Sequence, residues 1–307
     1  MRKDLVTEYD LEGEDFTLIF TRARELKRFL KEGRPHPVLA GKTLGMIFEK
    51  ASTRTRLSFE VGMYQLGGLA VFLNTKDTQL GRGETVADTA RIMSRYLDGI
   101  MIRTFAQQTV EELARHATIP VINGLTDLLH PCQILSDLFT IMEKKGRYEG
   151  LKIAYVGDGN NVANSWINAA ARLPLKLALA CPEGYDPDPQ VLSRGQKEAR
   201  EGIALYRDSK EAIADADVVY TDVWASMGQE EEKETRAKIF KDFQINEKVL
   251  SNAKDEYIVM HCLPAHRGEE ITSEVIDGPH SVVLDQAENR LHVQKAIMEI
   301  LMKEDPT

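Results

Sequence analysis

Short apolar runs recur along this chain, each closed by a polar or glycine-bearing turn and each followed by apolar residues at helical spacing. In the first half they cover residues 44–49, 69–73, 100–102 and 120–122. In the second half they cover 151–156, 175–181, 218–220, 258–260 and 282–284. Runs of this length read as strands buried on both faces, as in parallel sheets. Between them, Leu18, Ile19, Leu26, Phe29 and Leu30 fit an amphipathic helix, as do Leu57, Val61 and Tyr64, then Val86, Ala90, Met93 and Leu97. Ile134, Leu135, Leu138 and Ile141 fit another, and Leu291, Ala296, Ile297, Ile300 and Leu301 a final one. Strands alternating with helices predict α/β architecture, with parallel sheets wound on both sides. The alternation restarts after the charged, glycine-containing stretch 144–150, so two such domains are expected, the first ending near residue 146 and the second starting at 147.

Composition narrows the class. A chain of 307 residues can bury two cores. Its net charge of −9 argues against a general nucleic-acid binder, although a local basic pocket for a small anion stays compatible with it. No apolar run reaches about 18 residues, so no transmembrane helix is expected and no membrane partner. Met1-Arg2-Lys3-Asp4 lacks the apolar stretch of a signal peptide. Cys132, Cys181 and Cys262 are odd in number and far apart, which suggests neither a disulfide framework nor a CxxC metal site. The expectation is a cytoplasmic enzyme with reduced thiols and no cofactor.

The unusual residues follow the strands. Arg54, Arg103, Asn161, Asp222 and Cys262 all lie just past predicted strand ends, the edge at which open α/β sheets bind ligands. Two domains presenting such edges to each other would form a cleft holding the active site. Ser52-Thr53-Arg54-Thr55-Arg56 stands where a strand gives way to a helix. Free backbone N–H groups, the positive end of the helix dipole, hydroxyls and guanidinium groups there suit a phosphoryl group. The bland alternative is a capped helix start with solvated arginines. Arg103 ends a strand at the same edge and offers a second positive charge.

His130-Pro131-Cys132-Gln133 reads either as a loop entering a helix with proline at its first position or as two polar side chains aimed at a carbonyl and an amide. Gly157-Asp158-Gly159 after a strand invites a dinucleotide reading, but Val162 stands where the third glycine should be, so NAD binding is disfavoured. Asn160-Asn161 caps the next helix or binds a carboxylate. Asp222 with Ser226-Met227-Gly228 could hold the two ends of a free amino acid, the carboxylate facing an α-ammonium and the backbone amides facing an α-carboxylate. Cys262 lies in His261-Cys262-Leu263-Pro264, before a charge-dense loop that could favour its thiolate. A zinc site from His261, Cys262 and His266 matches no structural zinc spacing, so no metal is expected.

Taken together and in order, these motifs resemble the aspartate/ornithine carbamoyltransferase family over essentially the whole chain, with no departure at any motif position. Ser52–Arg56 and His130–Gln133 resemble its carbamoyl-phosphate elements. Gly157–Asn161, Asp222 with Ser226-Met227-Gly228, and His261-Cys262-Leu263-Pro264 resemble its ornithine-type signatures. The resemblance implies transfer of a carbamoyl group from carbamoyl phosphate to the δ-amine of L-ornithine, giving citrulline within arginine metabolism. It implies that Ser52, Thr53, Arg54 and Thr55 bind the phosphate, helped by Arg103 and by Gln79 from a neighbouring subunit. Thr55, Arg103 and His130 would polarise the carbamoyl oxygen. Gln133 and the Leu263 carbonyl would hold the carbamoyl nitrogen, with Arg290 near the transferred group. Asn161, Asp222, Ser226 and Met227 would bind ornithine, with Cys262 beside the reacting amine. It further implies a homotrimer or an assembly of trimers, and a C-terminal helix (286–307) that packs back on the first domain after an ornithine domain ending at 285. Other readings are the same chemistry on another amine such as putrescine, an NAD-dependent dehydrogenase, or a non-catalytic relative.

Overall fold

The computed structural model describes residues 2–75, 83–225 and 232–303. The chain divides into two compact units. One is the chain up to Ser136 together with everything from Glu288 onward; the other is Asp137–Ala287.

The first unit is a four-stranded sheet of β1 (Thr43–Phe48), β2 (Leu69–Asn74), β3 (Gly99–Arg103) and β4 (Val121–Leu125), in the order β2-β1-β3-β4 with every pair parallel. Strands β3 and β4 are buried at every position and β1 at all but its first. Helices α1 (Gly13–Lys31), α2 (Thr53–Gln65), α3 (Val86–Tyr96) and α4 (Gln107–His116) alternate with them. Helix α5 (Pro131–Lys145) starts in this unit and ends in the second.

The second unit holds β5 (Lys152–Val156), β6 (Lys176–Ala180), β7 (Ile203–Tyr206), β8 (Val218–Thr221) and β9 (Ile258–His261), all parallel, in the order β7-β6-β5-β8-β9. Helices α6 (Asn161–Arg172) and α7 (Pro189–Glu198) and several shorter ones connect the strands. Tyr155, Tyr220 and Trp166 are completely buried here, with ring centroids 5.7–5.9 Å apart. Both sheets therefore have the doubly wound parallel form expected from the alternation of apolar runs.

Three local readings need correction. Residues 282–284 are not a strand. The chain touches β9 at one bridge, Val259 to Ser281, and then Val283 opens the C-terminal helix, Val283–Met302. Val282 and Val283 are buried while Leu284 is exposed, and a triplet is too short for its period to tell strand from helix. Strand β7, whose last three residues are only half-buried, escaped detection because it carries a weak apolar signal at the edge of the sheet. Helix α2 exists as its spacing predicts, but the residues that reveal it face outward. Leu57, Val61 and Tyr64 are exposed, Tyr64 by 80%, while Thr55, Ser58, Phe59, Gly62 and Met63 form the buried face.

The C-terminal helix packs on α2 at Gly62. A Cβ there would come within 2.9 Å of the Met298 terminal methyl and 3.2 Å of Lys295 Cγ, so the glycine lets the two helices come close. Polar contacts fix the helix along its length. Lys27 donates to Asn289 at 2.7 Å, and Arg22 pairs with Glu299 at 2.7 Å. Lys295, with no exposed surface, donates to Gln65 at 2.8 Å and to His36 at 3.1 Å. The His36 Nδ1 lies 2.9 Å from the Arg34 carbonyl, so Nε2 is the nitrogen that accepts from Lys295.

Neither of these partners of Lys295 is anionic, and burial, with the Arg22 charge adding, pulls its pKa down to about 8. The folded value lies below the unfolded one, so the contribution of Lys295 is fully favourable only above the unfolded pKa and is lost as pH falls through the folded pKa. The unfolding free energy of the unmodified chain, relative to Lys295→Met, should therefore rise by up to about 3 kcal/mol between pH 8 and 10.5. Urea denaturation of both proteins across that range checks this; parallel curves would refute it.

Candidate active site

In each sheet the chain reverses its winding direction between two central strands, β1 and β3 in the first unit and β5 and β8 in the second. Helices leave such a pair on opposite sides, which opens a crevice at the carboxyl ends. The polar residues singled out from the sequence gather at these two places, as two half-sites.

In the first unit, Phe48 at the end of β1 is in register with Arg103 at the end of β3, and the Glu49 N–H bonds the Arg103 carbonyl at 2.9 Å. Ser52 caps α2, its Oγ accepting from the Thr55 N–H at 3.2 Å while its hydroxyl donates to Thr55 Oγ1 at 3.1 Å. Arg290, from the C-terminal helix, donates to the same Thr55 oxygen at 2.8 Å. With both acceptor positions used, Thr55 has its own O–H to donate onward. Thr53 is exposed and Arg54 half-buried, with no carboxylate paired to Arg54 among the described residues. The second arginine of the motif is employed elsewhere. Arg56 lies 3.9 Å over the Phe72 ring and pairs with Glu60 at 2.8 Å, so Arg54 alone supplies positive charge from this turn.

His130 sits immediately before α5. Its carbonyl accepts the Gln133 N–H at 3.0 Å, and Pro131 takes the first helical position, where a missing N–H costs nothing. Arg103, His130, Gln133 and Arg290 are all buried. Burial holds the His130 pKa well below the ordinary histidine range, and the Arg290 and Arg103 charges push the same way, so the imidazole is neutral at pH 7. Cys132 between them is packing: its thiol is buried against the Asn123 carbonyl and its pKa is pushed up to about 12. The half-site thus groups three guanidinium ions, a neutral imidazole, an amide and hydroxyls at a helix N-terminus. That is a surface for an anion with a polarised carbonyl.

In the second unit, β5 leads through Gly157-Asp158-Gly159 into α6. A Cβ on Gly159 would lie 2.2 Å from the backbone of Asp186, so this glycine serves close chain approach. Asn160 caps α6, its Oδ1 accepting from the Val162 and Ala163 N–H groups, while its Nδ2 donates to Asp222 Oδ2 at 2.8 Å. Asp222 follows β8. Its other oxygen accepts the Val223 N–H at 2.8 Å and the Cys262 thiol at 2.9 Å. Asn161 opens α6, and Cys262 and Leu263 follow β9, both half-buried. Ser226 and Met227 lie outside the described residues, as does Gln79.

Asn160, expected from the sequence as a helix cap, has a second partner here, and Arg236 goes unnoticed in the sequence. Asn160 orients Asp222, and Arg236 pairs with Asp158 at 3.1 Å while donating to the Trp224 carbonyl at 2.8 Å. Burial pushes the Asp158 pKa up to about 6 against the pull of Arg236. Asp222, His261 and Cys262 bring ligand atoms within 4.8 Å of one another, as a metal site would require. Both ring nitrogens of His261 are already bonded, however, Nδ1 to the Leu263 N–H at 2.8 Å and Nε2 to Glu270 at 3.0 Å.

The profile of the aspartate/ornithine carbamoyltransferase carbamoyl-P binding domain matches residues 3–143, and that of the Asp/Orn binding domain matches 149–301. The chain is 73% identical over 302 residues to an ornithine carbamoyltransferase of Syntrophus aciditrophicus, covering 98% of this chain and 100% of the relative. It is 57% identical to that of Thermococcus kodakarensis, over 98% of this chain and 96% of the relative. The solved ornithine carbamoyltransferase of Pyrococcus furiosus superposes with a TM-score of 0.95 at 54% identity, over 99% and 98% of the two chains. With both family profiles matched and identity this high across the whole length, the chain belongs to the aspartate/ornithine carbamoyltransferase family.

Proposed function

We infer that this chain transfers the carbamoyl group of carbamoyl phosphate to the δ-amine of L-ornithine, giving L-citrulline and phosphate. The observation that carries the reading is identity of up to 73% along the whole chain with relatives named for that reaction. We assign carbamoyl phosphate to residues 1–146 and the returning helix 286–307, and ornithine to residues 147–285.

In this reading the N-terminus of α2, with Ser52, Thr53, Arg54 and Thr55, holds the phosphate, together with Arg103 and with Gln79 of a neighbouring subunit. Thr55, Arg103 and His130 donate to the carbamoyl oxygen, on which negative charge builds as the amine attacks. His130 is suited to this because it is neutral: a neutral imidazole donates a hydrogen bond without surrendering a charge. Gln133 and the Leu263 carbonyl orient the carbamoyl nitrogen, and Arg290 fixes Thr55 from behind. Asn161, Asp222, Ser226 and Met227 take the α-amino and α-carboxylate groups, and Cys262 lies beside the δ-amine. Once the δ-ammonium has lost its proton, the amine attacks the carbamoyl carbon and the C–O bond to phosphate breaks. The leaving phosphate, neutralised by Arg54, accepts the proton released. Preorganised donors and proximity supply the catalysis, and no cofactor takes part.

We also read the protein as a cytoplasmic homotrimer or an assembly of trimers serving arginine synthesis or breakdown. The apolar stripe Leu57, Val61 and Tyr64 on α2, next to the edge strand β2 whose Leu69 is 60% exposed, supports contact with further copies of the chain.

Arg54→Ala should lower kcat/KM for carbamoyl phosphate by about 10²–10³-fold without lowering the melting temperature; unchanged steady-state kinetics would remove Arg54 from the phosphate site. Asp222→Ala should raise the ornithine KM or abolish turnover, and citrulline should form far faster from ornithine than carbamoylputrescine from putrescine. An unaltered ornithine saturation curve, or equal use of putrescine, would count against the α-amino role. Tyr64→Glu should shift the sedimentation coefficient from that of an oligomer to that of a monomer; an unchanged coefficient would move the interface elsewhere.

A further inference from the structure

Leu263 is the residue of the proposed acceptor side with the least ordinary backbone. Its φ is +59°, in the left-handed region that glycine occupies easily and leucine does not. Something outside the residue has to hold it there, and a buried chain of hydrogen bonds does so. The Leu263 N–H donates to His261 Nδ1 at 2.8 Å. An imidazole nitrogen that accepts carries no proton, so the ring proton sits on Nε2, which donates to Glu270 Oε1 at 3.0 Å. The same carboxylate oxygen accepts the His266 N–H, 2.6 Å away across the loop. His261 is fastened from behind as well, its own N–H donating to Gln286 Oε1 at 2.9 Å. Gln286 in turn donates to Asp137 Oδ1 at 2.8 Å. His261 and Glu270 have no exposed surface and Gln286 has 1%.

We propose that His261 and Glu270 are positioning residues, which hold Leu263 so that its carbonyl meets the carbamoyl nitrogen of the bound substrate. The proposal rests on the reading above that the Leu263 carbonyl contacts that nitrogen. Glu270 selects the Nε2–H tautomer of His261, the tautomer presents Nδ1 as an acceptor, and Nδ1 captures the Leu263 amide. Neither residue touches substrate or exchanges a proton with it. Next door, Asp222 holds the Cys262 thiol by a separate contact, so adjacent residues of one loop are aimed by two independent buried carboxylates.

Two substitutions of His261 separate positioning from bulk stability. In His261→Asn the side-chain oxygen takes the place of Nδ1 and still accepts from Leu263, but the chain is too short to reach Glu270. In His261→Gln the side chain reaches Glu270 but offers nothing at the Nδ1 position. Both should lose a similar amount of thermal stability. His261→Gln should lose about 10²-fold in kcat/KM for carbamoyl phosphate, the penalty for misplacing a positioning group by about an ångström, while His261→Asn stays within about tenfold of the parent. Equal activities for the two variants would overturn the proposal. Gln133→Ala, measured beside them, tests the underlying reading. If it and His261→Gln both leave carbamoyl-phosphate use intact, the carbamoyl-nitrogen contacts are wrong; if only Gln133→Ala is impaired, His261 is not a positioning residue. Nitrogen-15 NMR of the histidine-labelled parent enzyme gives a check that survives misfolding of any variant. His261 should be neutral with its proton on Nε2, and a charged or Nδ1-protonated ring would sink the idea.

Discussion

A sheet whose strands all run the same way brings every strand's carboxyl end to one edge, and Arg103, Asp222 and Cys262 all lie at that edge of their units. At each switch point two strand ends and the start of a helix meet. The turn after β1 supplies unpaired amide groups and a dipole that favours an anion, and Arg103 arrives beside it because β3 is the neighbouring strand. In the second unit the turn after β5 supplies Asn160 as a helix cap, and Asp222 arrives beside it because β8 is the neighbouring strand. One topological device, used twice, gathers positive and hydroxyl groups in one unit and sets a buried carboxylate beside a helix cap in the other.

The side chains at these edges are held in place by hydrogen bonds from other parts of the chain. Arg290 is bonded to Thr55, Asn160 to Asp222, and His261 and Glu270 to the Leu263 amide. Fixing donors before the substrate arrives is what lets them act on a developing charge without reorganising. The cost is burial of polar and ionisable groups, which is compensated by hydrogen bonds rather than by solvent. The C-terminal helix shows both sides of this. Arg290 brings a guanidinium group to the first unit's site, while Lys295, further along, is a cation buried against a neutral amide and a neutral imidazole. The helix keeps its seat through the close approach at Gly62 and the Lys27 and Arg22 contacts.

The apolar stripe on α2 sharpens what periodicity can and cannot report. Leu57, Val61 and Tyr64 identify a helix because their spacing is helical, yet within one chain they face outward. Hydrophobic spacing reports the period of an element, and an exposed apolar face carries the same period as a core face. Of the residues that pack inward from α2, Phe59 and Met63 are apolar, while Thr55, Ser58 and Gly62 carry almost no hydropathic signal.

Local sequence determined the strand and helix alternation and the doubly wound form of both sheets, and it singled out polar residues that the structure places just past the strand ends. These follow from contacts within a few residues: caps, turn chemistry and apolar period. Tertiary structure alone decided the rest. The triplet 282–284 became a helix start because it meets β9 at a single bridge. Arg56 was drawn away to Phe72 and Glu60. Thr55 found Arg290 235 residues away, and Asp222 found Asn160 62 residues away. Those partnerships depend on which strands lie side by side and where the last helix returns, and a pattern read along the chain carries no distance across it.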